Sequence, residues 1–331
     1  MEKIRKYLEE KGIQIDVSRL KYIENGTDIS EKDEYTHNFG TFPPHHNESW
    51  YFNFIDRPNN VFFITRLSFE MYEKKSQLML VLVANGKIYT YYKNLPLEAM
   101  PDNWEFDNKL KYYCIKPMNQ WKVTYEDKKI QLEVDFSARF PVFNYLTNED
   151  PLDALEKYGV EILDLAAQQH YEQSMYAKGK VILKKAGESK EIDCLGHRDH
   201  SWGTRDWVGI DRWNWISAQF EDEAINIANV EFLGKKLQNG FISTKDGNIA
   251  VKKIEVTTKT KEDGKTPVSS TFEIVDAHGK IRKVTSNTIF SLHMPLPATN
   301  GLTEIFEQVV TFEYEGKEGD GISEYLISTR P

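Results

Sequence analysis

Disulfides, a basic surface and a membrane-crossing run are all missing from this chain of 331 residues. Its only two cysteines, Cys114 and Cys194, lie far apart, which points to free thiols and a reducing compartment. Lys and Arg number 42 against 51 Asp and Glu, a net charge of −9. Binding nucleic acid through its phosphates needs the opposite balance, so nucleic acid is not an expected partner. No stretch approaches the roughly 18 consecutive apolar residues of a transmembrane helix. The opening MEKIRKYLEEKG is charged throughout, without the apolar core of a signal peptide. A soluble, cytoplasmic protein is the expectation. Also missing are a Gly-x-Ser-x-Gly elbow, a phosphate-cradling Gly-rich loop and a Cys–His pairing, so hydrolase, kinase and dinucleotide chemistry have little support.

Aromatic residues are abundant. Thirteen per cent of the chain is Phe, Trp or Tyr, with 40% apolar overall, enough to bury a core and tilted toward β structure. Residues 1–12 set Ile4, Tyr7 and Leu8 among charges at helical spacing, predicting a short amphipathic helix. Residues 24–47 are rich in polar and turn residues and predict an irregular cover. From Ser49 onward, short aromatic and β-branched runs follow one another to about residue 140, separated by turn signals of which Asn85-Gly86 is the strongest. Residues 146–169 break the pattern. Asp150-Pro151 looks like a helix start, and Leu152, Leu155, Val160, Leu163 and Leu165 supply the apolar positions that follow. The β pattern then resumes at His170 and runs to the end, with Lys245-Asp246-Gly247 and Ala277-His278-Gly279 as further turns. The fold class expected is all-β: two antiparallel units, 1–165 with the leading helix and 166–331, joined by a partly helical connector.

The richest stretch is HRDHSWGTRDWVGIDRWNWISAQ, residues 197–219, with four of the seven tryptophans, two histidines, three aspartates and three arginines. Aromatic and ionisable together is the composition of a polar-tipped, mostly apolar pocket wall. Alternation in an extended strand puts Trp213, Trp215, Ser217 and Gln219 on one face, although plain core packing would explain both tryptophans equally well. It likewise puts Arg198, His200 and Trp202 opposite His197, Asp199 and Ser201. An Asp beside two His could ligate a metal, but one strand offers at most two ligands on a face and nothing else completes the set. No metal and no cofactor are therefore expected. At His170-Tyr171-Glu172-Gln173, His170 and Glu172 share a face, as an acid–base pair or as a satisfied polar network. His45-His46-Asn47-Glu48-Ser49-Trp50-Tyr51 is a third candidate wall.

GHRDHSWGTRDW, residues 196–207, resembles the superfamily of carotenoid 1,2-hydratases, whose relatives include fungal decalin-forming Diels–Alderases, fungal survival-factor proteins and many uncharacterised bacterial proteins. An Asp-His-x-Trp-Gly core recurs in that superfamily, and Asp199-His200-Ser201-Trp202-Gly203 matches it. The uncharacterised bacterial branch is most similar, because Glu48 to Phe54, His170 to Gln173 and Gly321 to Tyr325 match its accompanying motifs in order. The resemblance implies two lipocalin-like β-barrels packed together, with an apolar cavity in or between them; barrels of about eight strands can hold one small ligand.

The expected activity is cofactor-free acid–base chemistry on an apolar, isoprenoid-like molecule: hydration, dehydration or double-bond isomerisation. Asp199 is the leading acid and His200 its orienting or relaying partner, with Glu172 and His170 as the reserve pair. Trp202, Trp213 and Trp215 would face the cationic centre. Tyr171 and Trp50 complete the substrate wall, and Arg205 is the partner expected for a carboxylate. A lipid carrier without catalysis, or a pericyclase that needs no proton donor, remain the alternatives. A monomer or homodimer is expected.

Overall fold

The computed structural model describes residues 2–14, 29–105, 107–148, 151–160, 168–204, 209–298 and 301–329. The chain divides into two compact units, residues 1–205 and 206–331. Helix α1 (Glu2–Glu10) forms as its spacing predicts and buries Ile4 and Leu8. In the expected irregular segment, the described part contains one short 3-10 turn, Glu31–Glu34. Ser30 caps it: its hydroxyl accepts from Lys32 N, while the Asp33 carboxylate accepts from Ser30 N at 2.7 Å.

The aromatic runs then become β1 (His46–Asp56), β2 (Val61–Glu70), β3 (Lys75–Ala84), β4 (Lys87–Pro96), β5 (Leu110–Lys116), β6 (Gln120–Glu126) and β7 (Ile130–Ala138). Asn85 (φ 51°) and Gly86 (φ 71°) join β3 to β4. Two successive positive φ values define the tight turn whose twist matches a hairpin, and Asn and Gly are the residues that tolerate it. A two-residue β8 (Phe143–Asn144) and α2 (Pro151–Tyr158) follow. Pro151 opens α2, where its missing N–H costs nothing, and Leu155 and Tyr158 are buried. Asp150, Leu163 and Leu165 lie outside the described residues.

Strands β9 (Gln168–Leu183) and β10 (Glu188–Thr204) do not open the second unit. They pair into the first sheet, whose order is β4-β3-β2-β1-β10-β9-β7-β6-β5. The division therefore falls after Arg205 rather than at the expected 165/166. β10 lies antiparallel between β1 and β9, so the chain's longest-range pairing completes the first sheet. The connector marks an interruption in the sequence pattern, but partner choice is set by the matching inner faces of β1, β10 and β9. Those faces share one core, in which Trp50, Phe52 and Phe54 of β1 and Met175 of β9 meet Trp121 of β6 and Phe136 of β7, all excluded from solvent.

In the second unit β11 (Arg212–Gln219), β12 (Glu223–Phe232), β13 (Lys235–Thr244), β14 (Gly247–Thr260), β15 (Pro267–Asp276), β16 (Ile281–Ala298), β17 (Gly301–Tyr314) and β18 (Lys317–Thr329) close into a barrel. β18 returns to pair with β11 and removes both sheet edges. Ile216, Ala218, Ile227, Phe272 and Phe312 fill one end of the interior. At the β11–β18 seam an added Cβ on Gly321 would stand 1.8 Å from the Ser217 carbonyl oxygen. Only a residue without a side chain lets the closing strands approach. Gly321→Ala should destabilise the protein by roughly 2–3 kcal/mol; urea unfolding checks this, and an unchanged midpoint would show that the seam relaxes.

Candidate functional site

Alternation along β10 separates the signature stretch into two layers. Arg198, His200 and Trp202 face the core, and His197, Asp199 and Ser201 face the other way. The cross-strand register sets His200 between Trp50 and Tyr171, and Arg198 between Phe52 and Gln173. On the opposite face it sets Asp199 between Tyr51 and Glu172.

The inner layer is a fully buried polar plug. Glu34, at the end of the 3-10 turn, reaches the sheet and forms a two-oxygen ion pair with the Arg198 guanidinium, Nη2 lying 3.1 Å from Oε2. Trp121 Nε1 donates to Glu34 Oε1 at 2.9 Å and the Met118 amide donates to Oε2. Gln173 Oε1 accepts from Arg198 Nε and Nη2 at 3.0 and 2.8 Å. Burial pushes the Glu34 carboxyl up, but the Arg198 charge and hydrogen bonds outweigh it and hold the group below its usual value.

Beside this pair, Glu48 Oε1 accepts from His37 Nδ1 at 2.7 Å and meets His200 Nε2 at 3.0 Å. Burial raises Glu48, and the hydrogen bonds from His200 and His37 override it, leaving the carboxyl at about 2. Burial lowers His37, yet Asp33 and Glu48 raise it to about 9. His200, buried and facing the His37 charge, is depressed and neutral. Its Nε2–H donates to Glu48, and its Nδ1 lies 3.0 Å from the Tyr171 hydroxyl, which itself donates to Glu34 Oε1 at 3.1 Å. Trp202 stacks on His37 at 4.0 Å and Trp50 on His200 at 4.3 Å.

The outer layer has a different composition. Glu172, wholly buried, uses both oxygens: Oε2 lies 2.7 Å from His197 Nε2 and Oε1 lies 3.1 Å from His170 Nε2. The same His170 nitrogen stands 3.5 Å from Asp199 Oδ2, and only the Asp199 side chain in this group keeps appreciable exposure, 18%. β8 pairs with β9 and brings Tyr145 to stack on the His170 ring at 4.4 Å. Burial would lower His170, but the Asp199 and Glu172 carboxylates beside its Nε2 raise it to about 9. Burial would raise Glu172, but His170 and His197 carry it down to about 2. The result is an imidazolium held between two carboxylates, one sealed and one reaching outward.

These layers regroup the residues expected from sequence. Asp199, Glu172 and His170 come together. His200 does not join them: it faces the core, and its two ring nitrogens serve Tyr171 and Glu48, so His170 rather than His200 is the imidazole beside Asp199. Tyr171, Trp50 and Trp202 are buried in the inner layer as packing for the plug, not as an open wall. Trp213 and Trp215 belong to the second unit, on the face of β11 opposite Ile216 and Ala218 and hence away from the barrel interior. Arg205 lies outside the described residues; the arginine that pairs a carboxylate here is Arg198. Sequence reasoning passed over Glu34, His37 and Tyr145, which arrive from loops and carry no periodic signal. It placed Arg198 and His197 on their faces without assigning them partners.

Two trios have donor atoms of metal-ligating type within 4.8 Å of one another: His37, Glu48 and His200, and His170, Glu172 and Asp199. The second completes across β9 and β10 a set that one strand could not offer. In the first, both imidazoles converge on a single Glu48 oxygen, which a hydrogen-bonded bridge explains by itself.

Solved structures share this architecture. A Nitrosomonas europaea protein designated ATTH aligns with a TM-score of 0.66 at 13% identity, over 91% of this chain and 96% of its own. CghA, solved with Sch210972, aligns at 0.60 and 12% identity, over 87% and 89%. Kievitone hydratase from Nectria haematococca aligns at 0.58 and 11% identity, over 92% and 96%. At these identities the likeness establishes fold, and the fold is the lipocalin-like two-barrel one. Residues 30–328 match the model of the DUF7064 domain of unknown function, and the chain belongs to that family. No curated protein matches the chain. No described helix is long and apolar enough to cross a membrane.

Arg198→Met should cost about 3–5 kcal/mol in urea unfolding, because Glu34 is left buried and unpaired. The double variant Glu34→Leu/Arg198→Met should recover much of that loss; equal losses in both would mean that the pair's charge is unimportant. A pH dependence follows from His37. Its folded value lies above the ordinary 6.5, so its contribution is complete below pH 6.5 and lost as pH rises through about 9. His37→Gln should remove a stability slope on the order of 1–3 kcal/mol across that interval. Chemical denaturation at stepped pH measures it, and an unaltered slope would refute the assignment.

Proposed function

We propose that this chain is a cofactor-independent acid–base enzyme, a hydratase/dehydratase or double-bond isomerase, acting in the cytoplasm on an apolar, isoprenoid-like small molecule. The observation that carries this reading is the placement of His170 Nε2, 3.1 Å from buried Glu172 and 3.5 Å from outward-reaching Asp199. Such a pair stores a proton and offers it at one accessible carboxylate. In hydration, the His170–Asp199 pair delivers the proton to one alkene carbon, leaving a cation at the other. Water adds to that cation, and the emptied pair takes back the proton that the new oxygen must lose. Dehydration runs these steps in reverse, and isomerisation returns the proton from a different carbon.

Glu172 acts as the positioning residue. With His197 on its second oxygen it cannot swing away, so it holds the His170 ring in register and stabilises its charge. Tyr145 adds a π face to the same ring. Tyr51, opposite Asp199 in the register, is the aromatic side chain placed to meet the cationic carbon. A merely structural carboxylate would be one locked to an arginine. Glu34 fits that description and Asp199 does not, which favours catalysis over a lipid carrier. Membership of one fold with kievitone hydratase supports the reaction class.

Native mass spectrometry of protein purified from its own cells should show a co-purified apolar molecule, and an empty protein that also ignores terpenols and fatty acids would sink the proposal. On the identified compound, Asp199→Asn should lower kcat at least about 100-fold while melting with the parent. Equal loss of activity and melting temperature would mark Asp199 as structural. A chelator should change neither rate nor melting temperature; a chelator-sensitive rate would mean that the His170 trio works through a metal.

A further inference from the structure

The interior of the second barrel changes character along its axis. Inward positions of β11 and β18 read Ala218, Ile216, Asn214 and Gly321, Ser323, Tyr325, so the apolar core gives way to amides and hydroxyls at one end. Neighbouring strands continue the polar layer with Gln238, Thr258, Ser270 and Gln308. A closed barrel pairs its backbone groups in the ladder, so these side chains must satisfy one another. Most do. Gln238 donates to Asn229 Oδ1 at 3.0 Å, and Gln308 donates to the Pro267 carbonyl at 2.7 Å. Thr258, Ser270 and the Tyr325 hydroxyl form a closed set.

Two side-chain groups do not. The Asn214 amide nitrogen donates to the Glu324 carbonyl at 3.2 Å, which orients the side chain, yet its Oδ1 is buried with no partner. Ser323 Oγ, on the adjacent strand and same face, is also buried and unpartnered. The residues are 5% and 1% exposed, so bulk water does not satisfy them. Buried polar groups in native proteins are paired, and two orphans on one face of neighbouring strands, two register positions apart, mark a missing partner. Phe306, paired with Tyr325 in the register, adds an aromatic ring at this level, one face of it covered by the His293 imidazole at 4.6 Å. Among the described residues the ionisable side chain at this level is His293, opposite Phe306, and it pairs with Glu304, one inward position further along β17, which also meets Lys265.

We propose that the polar half of the β11–β18 barrel binds a small neutral polyhydroxylated molecule. Its hydroxyls donate to Asn214 Oδ1 and exchange hydrogen bonds with Ser323 Oγ, while its C–H face lies on Phe306. A hydroxyl both donates and accepts, as the Asn214 carbonyl and the Ser323 hydroxyl together require. With His293 and Lys265 already paired to Glu304, the layer leaves no free cation among the described residues for phosphorylated or carboxylated ligands. This site lies wholly within residues 206–331 and is independent of the proton chemistry proposed at Asp199.

Saturation-transfer NMR with glycerol, myo-inositol and D-glucose, each added to the full-length protein, tests it. At least one should receive saturation from the protein. Its Kd should rise about tenfold in Ser323→Ala, the loss of one buried hydrogen bond, and further in Asn214→Leu. Binding should be unchanged in Asp199→Asn, which separates this outcome from that of the proposed reaction. Absence of transfer from all three, or equal affinity in parent and Ser323→Ala, would overturn the proposal. So would a crystal structure grown with the polyols in which only ordered water meets Asn214 Oδ1 and Ser323 Oγ.

Discussion

The pleat of β10 is the constraint on which the rest depends. Side chains two apart share a face, so Arg-Asp-His-Ser-Trp cannot act as one cluster. Arg198, His200 and Trp202 go inward, where each meets a group brought by a different segment: Glu34, Glu48 and the His37 ring. His197 and Asp199 go outward, where Glu172 and His170 of β9 meet them. A buried arginine–carboxylate pair contributes little net stability beyond an apolar equivalent. What the Glu34–Arg198 pair supplies instead is specificity: it ties the 3-10 turn to β9 and β10 in one register, because any slip would strand a charge.

The two layers use the same residue types for opposite ends. Inside, both buried carboxylates are matched by donors and sealed from solvent, and the histidine on the strand is neutral, while the Trp202 indole N–H is buried without an acceptor among the described residues. Such a network holds position. Outside, one imidazolium is shared by two carboxylates whose surroundings differ: Glu172 is sealed and doubly bonded, and Asp199 is partly exposed. In the proposed reaction a proton leaves only where an acceptor can approach, and the asymmetry between the two carboxylates would give that transfer its direction.

The closed barrel presents a third arrangement. Its apolar end packs as a core that includes the buried Tyr314 ring and hydroxyl, while the polar layer is self-paired among the described residues except at Asn214 and Ser323. Eight strands enclose an interior of side-chain dimensions, so satisfaction there is a local matter between neighbouring strands. The same barrel geometry can therefore serve as core at one end and as a recognition layer at the other.

Much of the chain was legible in its sequence. The hairpin at Asn85-Gly86, the helix at Pro151, the all-β class and the face assignment of each residue from His197 to Trp202 follow from local rules: allowed φ values, a missing N–H and a period of two. The pairing of His170 with Glu172 was legible for the same reason. Tertiary structure alone decided that β9 and β10 complete the first sheet, that His200 turns away from Asp199, and that Glu34 rather than an acidic strand residue meets the arginine. Periodicity specifies which face a side chain takes but not what lies across from it. That depends on strand order and on loop segments brought from more than a hundred residues away, and neither leaves a mark in local spacing.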